Sequence, residues 1–151
     1  MTTKNIKNQG FTLVELLIVI VIIAILTVVS LVAYNGLQNQ AKTSAAKSTV
    51  DSVAKKAELY NTEEGKYPAK ISVLTGADTK KSYYIAEANV TELGSGTFGS
   101  TTPTTTVKYE QCPDTGDATG AKISYYDYSK NKVETRVVGT CPTTTTTTSG
   151  S

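Results

Sequence analysis

The residues best placed for chemistry are one carboxylate, Glu15, inside a long apolar run, and two cysteines, Cys112 and Cys141. Glu15 is the only charged side chain from Phe11 to Ala33. An unpaired carboxylate in an apolar segment costs free energy, and a nearby cation recovers much of that cost. We therefore expect Glu15 to act by pairing with a positive charge.

The two cysteines both lie in the C-terminal third of the chain. If this part faces an oxidising space, a Cys112–Cys141 disulfide is the favoured interpretation. It would close a loop of about 30 residues and contribute about 3–4 kcal/mol on the chain-entropy model. The alternative is two unpaired buried thiols. Their spacing does not fit a CxxC redox or zinc site.

Other catalytic and binding chemistry has little support. The 151 residues contain no His, and 15 basic residues balance 13 acidic ones, so no basic face for stable nucleic-acid binding is predicted. We find no phosphate-binding glycine loop and no nucleophile with a plausible base. Asp114, Asp117 and Asp127 suggest a calcium loop, but their spacing is not that of an EF-hand and favours a plain turn. The sequence predicts no enzyme, no cofactor and no metal.

The element that positions Glu15 is an apolar segment at the N-terminus. The 23 residues from Phe11 to Ala33 would span about 35 Å as a helix, enough to cross a bilayer. Lys4 and Lys7 precede the segment and place the N-terminus in the cytoplasm, with the chain beyond residue 34 outside. An ordinary signal peptide has a shorter apolar core and a small-x-small cleavage site. A plain membrane anchor would leave Glu15 unexplained.

At this point the chain resembles the bacterial type IV pilins and their relatives, the type II secretion pseudopilins. The resemblance covers about 25 residues: a short basic leader, then Gly10-Phe11-Thr12-Leu13-Val14-Glu15-Leu16-Leu17, then the apolar helix. It implies that a prepilin peptidase cuts between Gly10 and Phe11. It also implies that the same enzyme methylates the new amino group of Phe11.

For Glu15, the resemblance implies an assembly charge. The Phe11 amine of a neighbouring subunit would pair with it and set the register of the helices. The alternative is that Glu15 neutralises only its own N-terminus or helix dipole.

The implied function is that of a pilin, a structural subunit that polymerises through its hydrophobic helix into a type IV pilus on the cell surface. The alternatives are a pseudopilin of a type II secretion system or a minor pilin of a DNA-uptake apparatus. A membrane-anchored enzyme or binding domain is disfavoured.

The expected partners are other pilin subunits, the prepilin peptidase, membrane lipid before assembly, and the pilus assembly machinery. The precursor is expected in the cytoplasmic (inner) membrane and the mature subunit in the extracellular pilus. Adhesion and motility are roles that the sequence leaves open.

Helical periodicity continues beyond the membrane segment. One apolar face recurs at three- and four-residue steps: Ala46, Val50, Val53, Ala57 and Tyr60. The pattern predicts one helix from about Phe11 to Glu63, with Gly65 as its C-terminal cap and Pro68 as a stop. Pilins often carry Gly and Pro within the apolar helix, but this chain has neither from Phe11 to Tyr34. We therefore expect a straighter helix.

The remaining chain carries strand signals. The candidates are Ser82–Ala86, Thr106–Gln111, Lys122–Tyr128 and Val133–Val138, the last two as a hairpin. The predicted fold is α+β, the pilin "lollipop", in which a long N-terminal helix packs on a small antiparallel β-sheet head of three or four strands.

The predicted organisation has five parts. Residues 1–10 are the leader, 11–34 the transmembrane half of the helix, 35–63 its amphipathic half, 64–142 the head and 143–151 a Thr-rich tail. Hydroxyl-rich tracts in the last part and in residues 94–106 are typical of solvated loops.

Overall fold

The structure is a computed structural model that describes residues 10–142. Of the predicted leader (residues 1–10), only Gly10 is described, and the Thr-rich tail (residues 143–151) lies outside the described residues. Seven elements follow one another along the chain: α1 (Leu13–Glu64), α2 (Ser72–Thr75), a 3₁₀ turn (Glu87–Asn89), β1 (Thr91–Glu92), β2 (Thr106–Cys112), β3 (Gly120–Asp127) and β4 (Lys132–Gly139). A long N-terminal helix and a four-stranded, mostly antiparallel sheet confirm the predicted α+β class.

Helix α1 is continuous over 52 residues. No Pro interrupts it, and Gly36 is accommodated without a break. Its C-terminus is capped as predicted: Gly65 has a φ of 77° and donates its N–H to the Asn61 carbonyl at 2.9 Å. The sequence pattern placed the helix end within one residue of the observed end at Glu64.

The chain divides into two compact units, the first ending at Gln38 and the second beginning at Asn39. In the first unit every described residue is exposed. In the second unit, α1 buries one face against the core. The buried positions confirm the predicted apolar face, with Tyr60 partly buried; they are Thr43, Ala46, Val50, Val53, Ala54 and Ala57.

The sheet has the order β1-β2-β3-β4. β3 and β4 form an antiparallel hairpin whose register pairs Asp127 with Lys132 and Gly120 with Gly139. This confirms the predicted hairpin. β2 also runs antiparallel to β3, whereas the two-residue β1 pairs parallel with β2. The sequence predicts an antiparallel sheet, and the parallel β1–β2 pair is the exception to that prediction.

The predicted strand at Ser82–Ala86 is wrong. The segment instead begins in a turn, in which Tyr84 donates its N–H to the Lys81 carbonyl at 3.1 Å. Ile85 then makes a single backbone bond, to the Leu74 carbonyl at 3.2 Å. Alternate burial of Tyr83 and Ile85 produces a strand-like pattern, but no strand among residues 10–142 pairs with this segment.

The segment after α1 forms hydrogen bonds with β2 and with the loop between β2 and β3. Tyr67 donates its N–H to the Ala118 carbonyl at 2.9 Å, and the Tyr109 hydroxyl donates to the Pro68 carbonyl at 2.9 Å. Gly139 has a φ of 67°, and a Cβ there would lie 2.5 Å from Cε2 of Tyr67. Only glycine fits this approach of the strand end to the ring.

Candidate functional site

Thr12 and Glu15 form a reciprocal pair of hydrogen bonds at the start of α1. Thr12 precedes the first helical residue, and its hydroxyl oxygen accepts the Glu15 N–H at 3.3 Å. In return, Oε2 of Glu15 accepts the Thr12 N–H at 2.9 Å and the Thr12 hydroxyl at 2.7 Å. This is a capping box, which satisfies backbone donors that a helix N-terminus leaves without partners.

Only one of the two carboxylate oxygens of Glu15 takes part in the capping box. Among residues 10–142, both hydrogen bonds that Glu15 accepts go to Oε2. No Lys or Arg of that range forms an ion pair with it. The sequence analysis predicts a charge partner for Glu15 but misses its hydrogen bonds with Thr12. The Thr-x-x-Glu spacing was the available signal.

The bond between Gly10 and Phe11 lies just before the helix. Both residues have non-helical backbone and are exposed, and the Phe11 side chain is 88% exposed. Among the described residues, apart from Gly10 itself and its chain neighbours, no atom lies within 4 Å of the position that a Cβ on Gly10 would take. A peptidase therefore has open access to this bond in the described chain. Cleavage there and methylation of Phe11 remain predictions.

The helix beyond Glu15 presents apolar side chains on every side. The large hydrophobic residues from Leu13 to Leu37 are 48–87% exposed. In the described part of the chain, α1 is the one helix that is long and apolar enough to cross a membrane. An apolar surface of this size on a single chain has to be covered by lipid or by another protein.

The few hydroxyl groups within this apolar segment bond to their own helix. Thr27 donates to the Ile23 carbonyl and Ser30 to the Leu26 carbonyl, each at 2.7 Å. These i to i−4 bonds satisfy the hydroxyl donors without water. Glu15 is the one charged group of this segment, and no Lys or Arg among residues 10–142 pairs with it.

The second unit is cross-linked near one end of its sheet. The sulfur atoms of Cys112 and Cys141 are bonded, and the two Cα atoms lie 5.0 Å apart. Cys112 is the last residue of β2, and Cys141 follows β4 by two positions. The bridge thus encloses the whole β3–β4 hairpin.

A buried carboxylate fixes the other end of the hairpin to α1. Asp127 is 1% exposed, and its Oδ1 accepts the Thr43 hydroxyl at 3.0 Å. The same oxygen accepts the Ser129 N–H at 2.9 Å, the Ser129 hydroxyl at 2.5 Å and the Lys130 N–H at 3.1 Å. Burial acts to raise the pKa of Asp127, but these hydrogen bonds outweigh it and hold the pKa well below its ordinary range.

The acidic residues considered for calcium do not converge. Asp127 is engaged with α1 and the hairpin turn, whereas Asp117 is exposed and lies 3.4 Å from the Lys66 ammonium. Within residues 10–142, no group of three or more His, Cys, Asp or Glu side chains could hold a metal ion.

Comparison with known proteins identifies the N-terminal segment. Residues 5–31 match the family described as the prokaryotic N-terminal methylation motif. The match includes Gly10, Phe11 and Glu15 and ends within the apolar helix. Neither the curated proteins nor the solved structures contain a match to this chain. The chain therefore carries the N-terminal signal typical of type IV pilins and pseudopilins, as its resemblance predicted.

Proposed function

We propose that this chain is a type IV pilin, a structural subunit that polymerises through its apolar N-terminal helix into a filament on the cell surface. The methylation motif supports the pilin and pseudopilin class. Under this proposal the chain acts by assembly and has no catalytic role.

The observation that carries the proposal is the state of Glu15. Its Oε2 is occupied by Thr12, but no cation of the described chain neutralises the carboxylate. Cleavage after Gly10 would create a positive amine on Phe11, only four residues away along the chain. A helix-capped carboxylate that keeps Oε1 available is well placed to accept this amine from a neighbouring subunit.

The exposed apolar surface supports the same proposal. Side chains from Leu13 to Leu37 would contact lipid in the membrane-anchored precursor. On assembly they would contact the helices of other subunits instead. Pairing Glu15 with a neighbour's amine would fix the axial register of these helices, because apolar contacts alone allow them to slide.

Processing would precede assembly. The prepilin peptidase would reach the Gly10–Phe11 bond from the cytoplasmic side, where Lys4 and Lys7 hold the leader. The chain beyond residue 34 would then lie outside the membrane. The pilus assembly machinery would move the mature subunit from lipid into the filament.

The two alternatives are a pseudopilin of a type II secretion system and a minor pilin of a DNA-uptake apparatus. Both share the N-terminal motif. We favour the surface pilus, because the Cys112–Cys141 bridge and the Thr-rich composition suit a head exposed to the exterior.

Deletion of the gene in its native host tests the proposal. We expect surface filaments to disappear by electron microscopy and to return when the native chain is supplied. Antibody against the head should label the restored filaments along their length. Intact filaments combined with a loss of protein secretion would favour the pseudopilin. Intact filaments combined with a loss of DNA uptake would favour the minor pilin.

A further inference from the structure

The outer edge of β4 is open in the described part of the chain. β4 is the last strand in the sheet order and pairs only with β3. Its eight residues are exposed apart from Glu134, which is half-buried, and Val138, which is buried. An exposed edge of this length offers a row of backbone donors and acceptors to another strand.

The side chains of β4 alternate between two chemistries. Val133 and Val137 are 48% and 52% exposed, and Thr135 lies between them on the same face. Glu134 and Arg136 lie on the other face, where Arg136 reaches α1 through an ion pair with Asp51. The edge therefore carries one β-branched row and one charged row.

We propose that β4 pairs antiparallel with β4 of a second copy of this chain, around a two-fold axis at Thr135. Thr135 would then lie opposite Thr135 of the other copy. Val133 of each copy would lie opposite Val137, and Glu134 opposite Arg136. The same strand supplies both halves of the contact, as a two-fold interface requires.

The charges of β4 favour this register over the two neighbouring ones. Directly opposite residues share a sheet face, so the two-fold axis can move along β4 only from one residue to the next. An axis at Glu134 would bring Glu134 opposite Glu134, and an axis at Arg136 would bring Arg136 opposite Arg136. Like charges directly opposite each other are destabilising, whereas opposite charges and β-branched pairs are favourable. The charge pattern of β4 thus complements itself and identifies the partner as a second copy.

The ion pairs within one chain are compatible with the contact. Arg136 is 44% exposed and its guanidinium has five donors, so it can hold Asp51 and a second carboxylate together. Glu134 lies 3.2 Å from the Lys130 ammonium and 3.0 Å from that of Lys132. One carboxylate can accept from several donors, so these contacts do not block a further cation.

The direction of β4 decides which chains can pair. The start of the hairpin turn contacts Thr43, and Arg136 contacts Asp51, about two turns further along α1. β4 therefore runs in the same direction as the part of α1 after Asn39. An antiparallel β4 pair places these helices in opposite directions. Under the proposed function every subunit enters the filament from the same membrane orientation, so its subunits would share a direction and would not form this contact. The contact therefore goes beyond the proposed function.

Cysteine cross-linking of the full-length chain in detergent micelles tests the pairing. Directly opposite Cα atoms lie about 4.5–5.5 Å apart, within disulfide range. We expect Thr135→Cys to form a covalent dimer on mild oxidation, seen on a non-reducing gel. Val133→Cys is the matched control, because two copies of residue 133 would be about 13 Å apart. A mixture of Val133→Cys and Val137→Cys chains should form the heterodimer.

Charge reversal in the Thr135→Cys background tests the register. Glu134→Arg and Arg136→Glu should each lower the dimer yield about tenfold, since either creates two like-charge pairs. The combined reversal should restore the yield. Circular dichroism would verify that each variant is folded. Equal cross-linking of Thr135→Cys and Val133→Cys, or no recovery in a folded double variant, would overturn the proposal. The assay does not need filaments, so its failure is separate from failure of the proposed function.

Discussion

Oε2 of Glu15 accepts hydrogen bonds from the Thr12 backbone N–H at 2.9 Å and from the Thr12 hydroxyl at 2.7 Å. In return, the Thr12 hydroxyl oxygen accepts the Glu15 N–H. The pair holds the carboxylate at the helix N-terminus, where the helix dipole favours a negative charge. Glu15 thus has a local role in starting α1, besides the intermolecular role proposed for it. Two of the predictions below separate these roles.

Removing the Thr12 hydroxyl should loosen the start of α1. Thr12→Val loses the hydroxyl that accepts the Glu15 N–H, and caps of this kind contribute about 1 kcal/mol. We expect amide hydrogen exchange at Glu15 to speed up about fivefold in micelles. Thr12→Ser keeps the capping box and is the control. Equal exchange in the valine and serine variants would show that the box does not hold the helix start.

Processing should yield a mature chain of 141 residues, 151 less the ten-residue leader, that begins with N-methylated Phe11. Gly10→Val should leave the precursor uncut in the membrane, because a β-branched side chain hinders close approach of the peptidase to the backbone. Gly36→Ala is the control glycine substitution, since in the described chain the added Cβ meets no atom within 4 Å besides its chain neighbours and the nearby backbone of its own helix. Intact mass spectrometry distinguishes the products. A native chain that retains Met1 in purified filaments would contradict the processing.

The disulfide should stabilise the head. A truncated chain that starts at Tyr34 lacks most of the exposed apolar helix and keeps the second unit. Closing a loop of 29 positions contributes about 3–4 kcal/mol on the chain-entropy model. We expect reduction to lower the thermal midpoint by roughly 10 °C or more. The double variant Cys112→Ser/Cys141→Ser should match the reduced protein. Free thiols at both positions in protein exported by the native host would refute the bridge.

The Asp127 carboxylate should make the same truncated chain sensitive to acid. Its pKa is lowered in the folded state, so its stabilisation is present above the unfolded value of about 4 and is lost as the pH falls toward the lower folded value. Asp127→Asn should cost about 1–3 kcal/mol near neutral pH. It should also flatten the fall in urea midpoint between about pH 5 and pH 2.

Two other residues, Thr43 and Glu134, also affect this acid profile. Thr43→Val removes one donor to Asp127 and should cost about 1 kcal/mol while keeping most of the pH dependence. Glu134 adds a fall of the same sign, because hydrogen bonds from Lys132 and Lys130 lower its pKa. An Asp127→Asn profile parallel to that of the native chain would show that Asp127 does not carry the acid sensitivity.

Local patterns were sufficient to predict much of this fold. The periodic burial of Val50 and Val53, the glycine cap at Gly65 and the β3–β4 hairpin all depend on residues close in sequence. The strand predicted at Ser82–Ala86 failed because an extended segment with alternating burial needs a partner to become a strand. The sequence gives no sign of whether that partner exists.

Apart from the Cys112–Cys141 bridge, contacts between distant positions could not be predicted. Thr43 and Asp127 are 84 positions apart and meet only once the hairpin packs on α1. A lone Asp after a run of tyrosines looks like a turn residue, and nothing near it in sequence indicates burial. The Thr12–Glu15 box, by contrast, is a three-residue spacing that the sequence displays openly.

The most direct test of the assembly proposal is filament formation by Glu15→Gln alone. Glutamine at this helix position can still complete a capping box with Thr12, but it carries no charge to pair with a neighbour's Phe11 amine. We expect Glu15→Gln chains to be inserted and cleaved, and to accumulate in the membrane without filaments by electron microscopy. Glu15→Ala should fail in the same way, and Glu15→Asp should assemble partially. Normal filaments from Glu15→Gln chains would contradict the account and show that the carboxylate serves only its own helix.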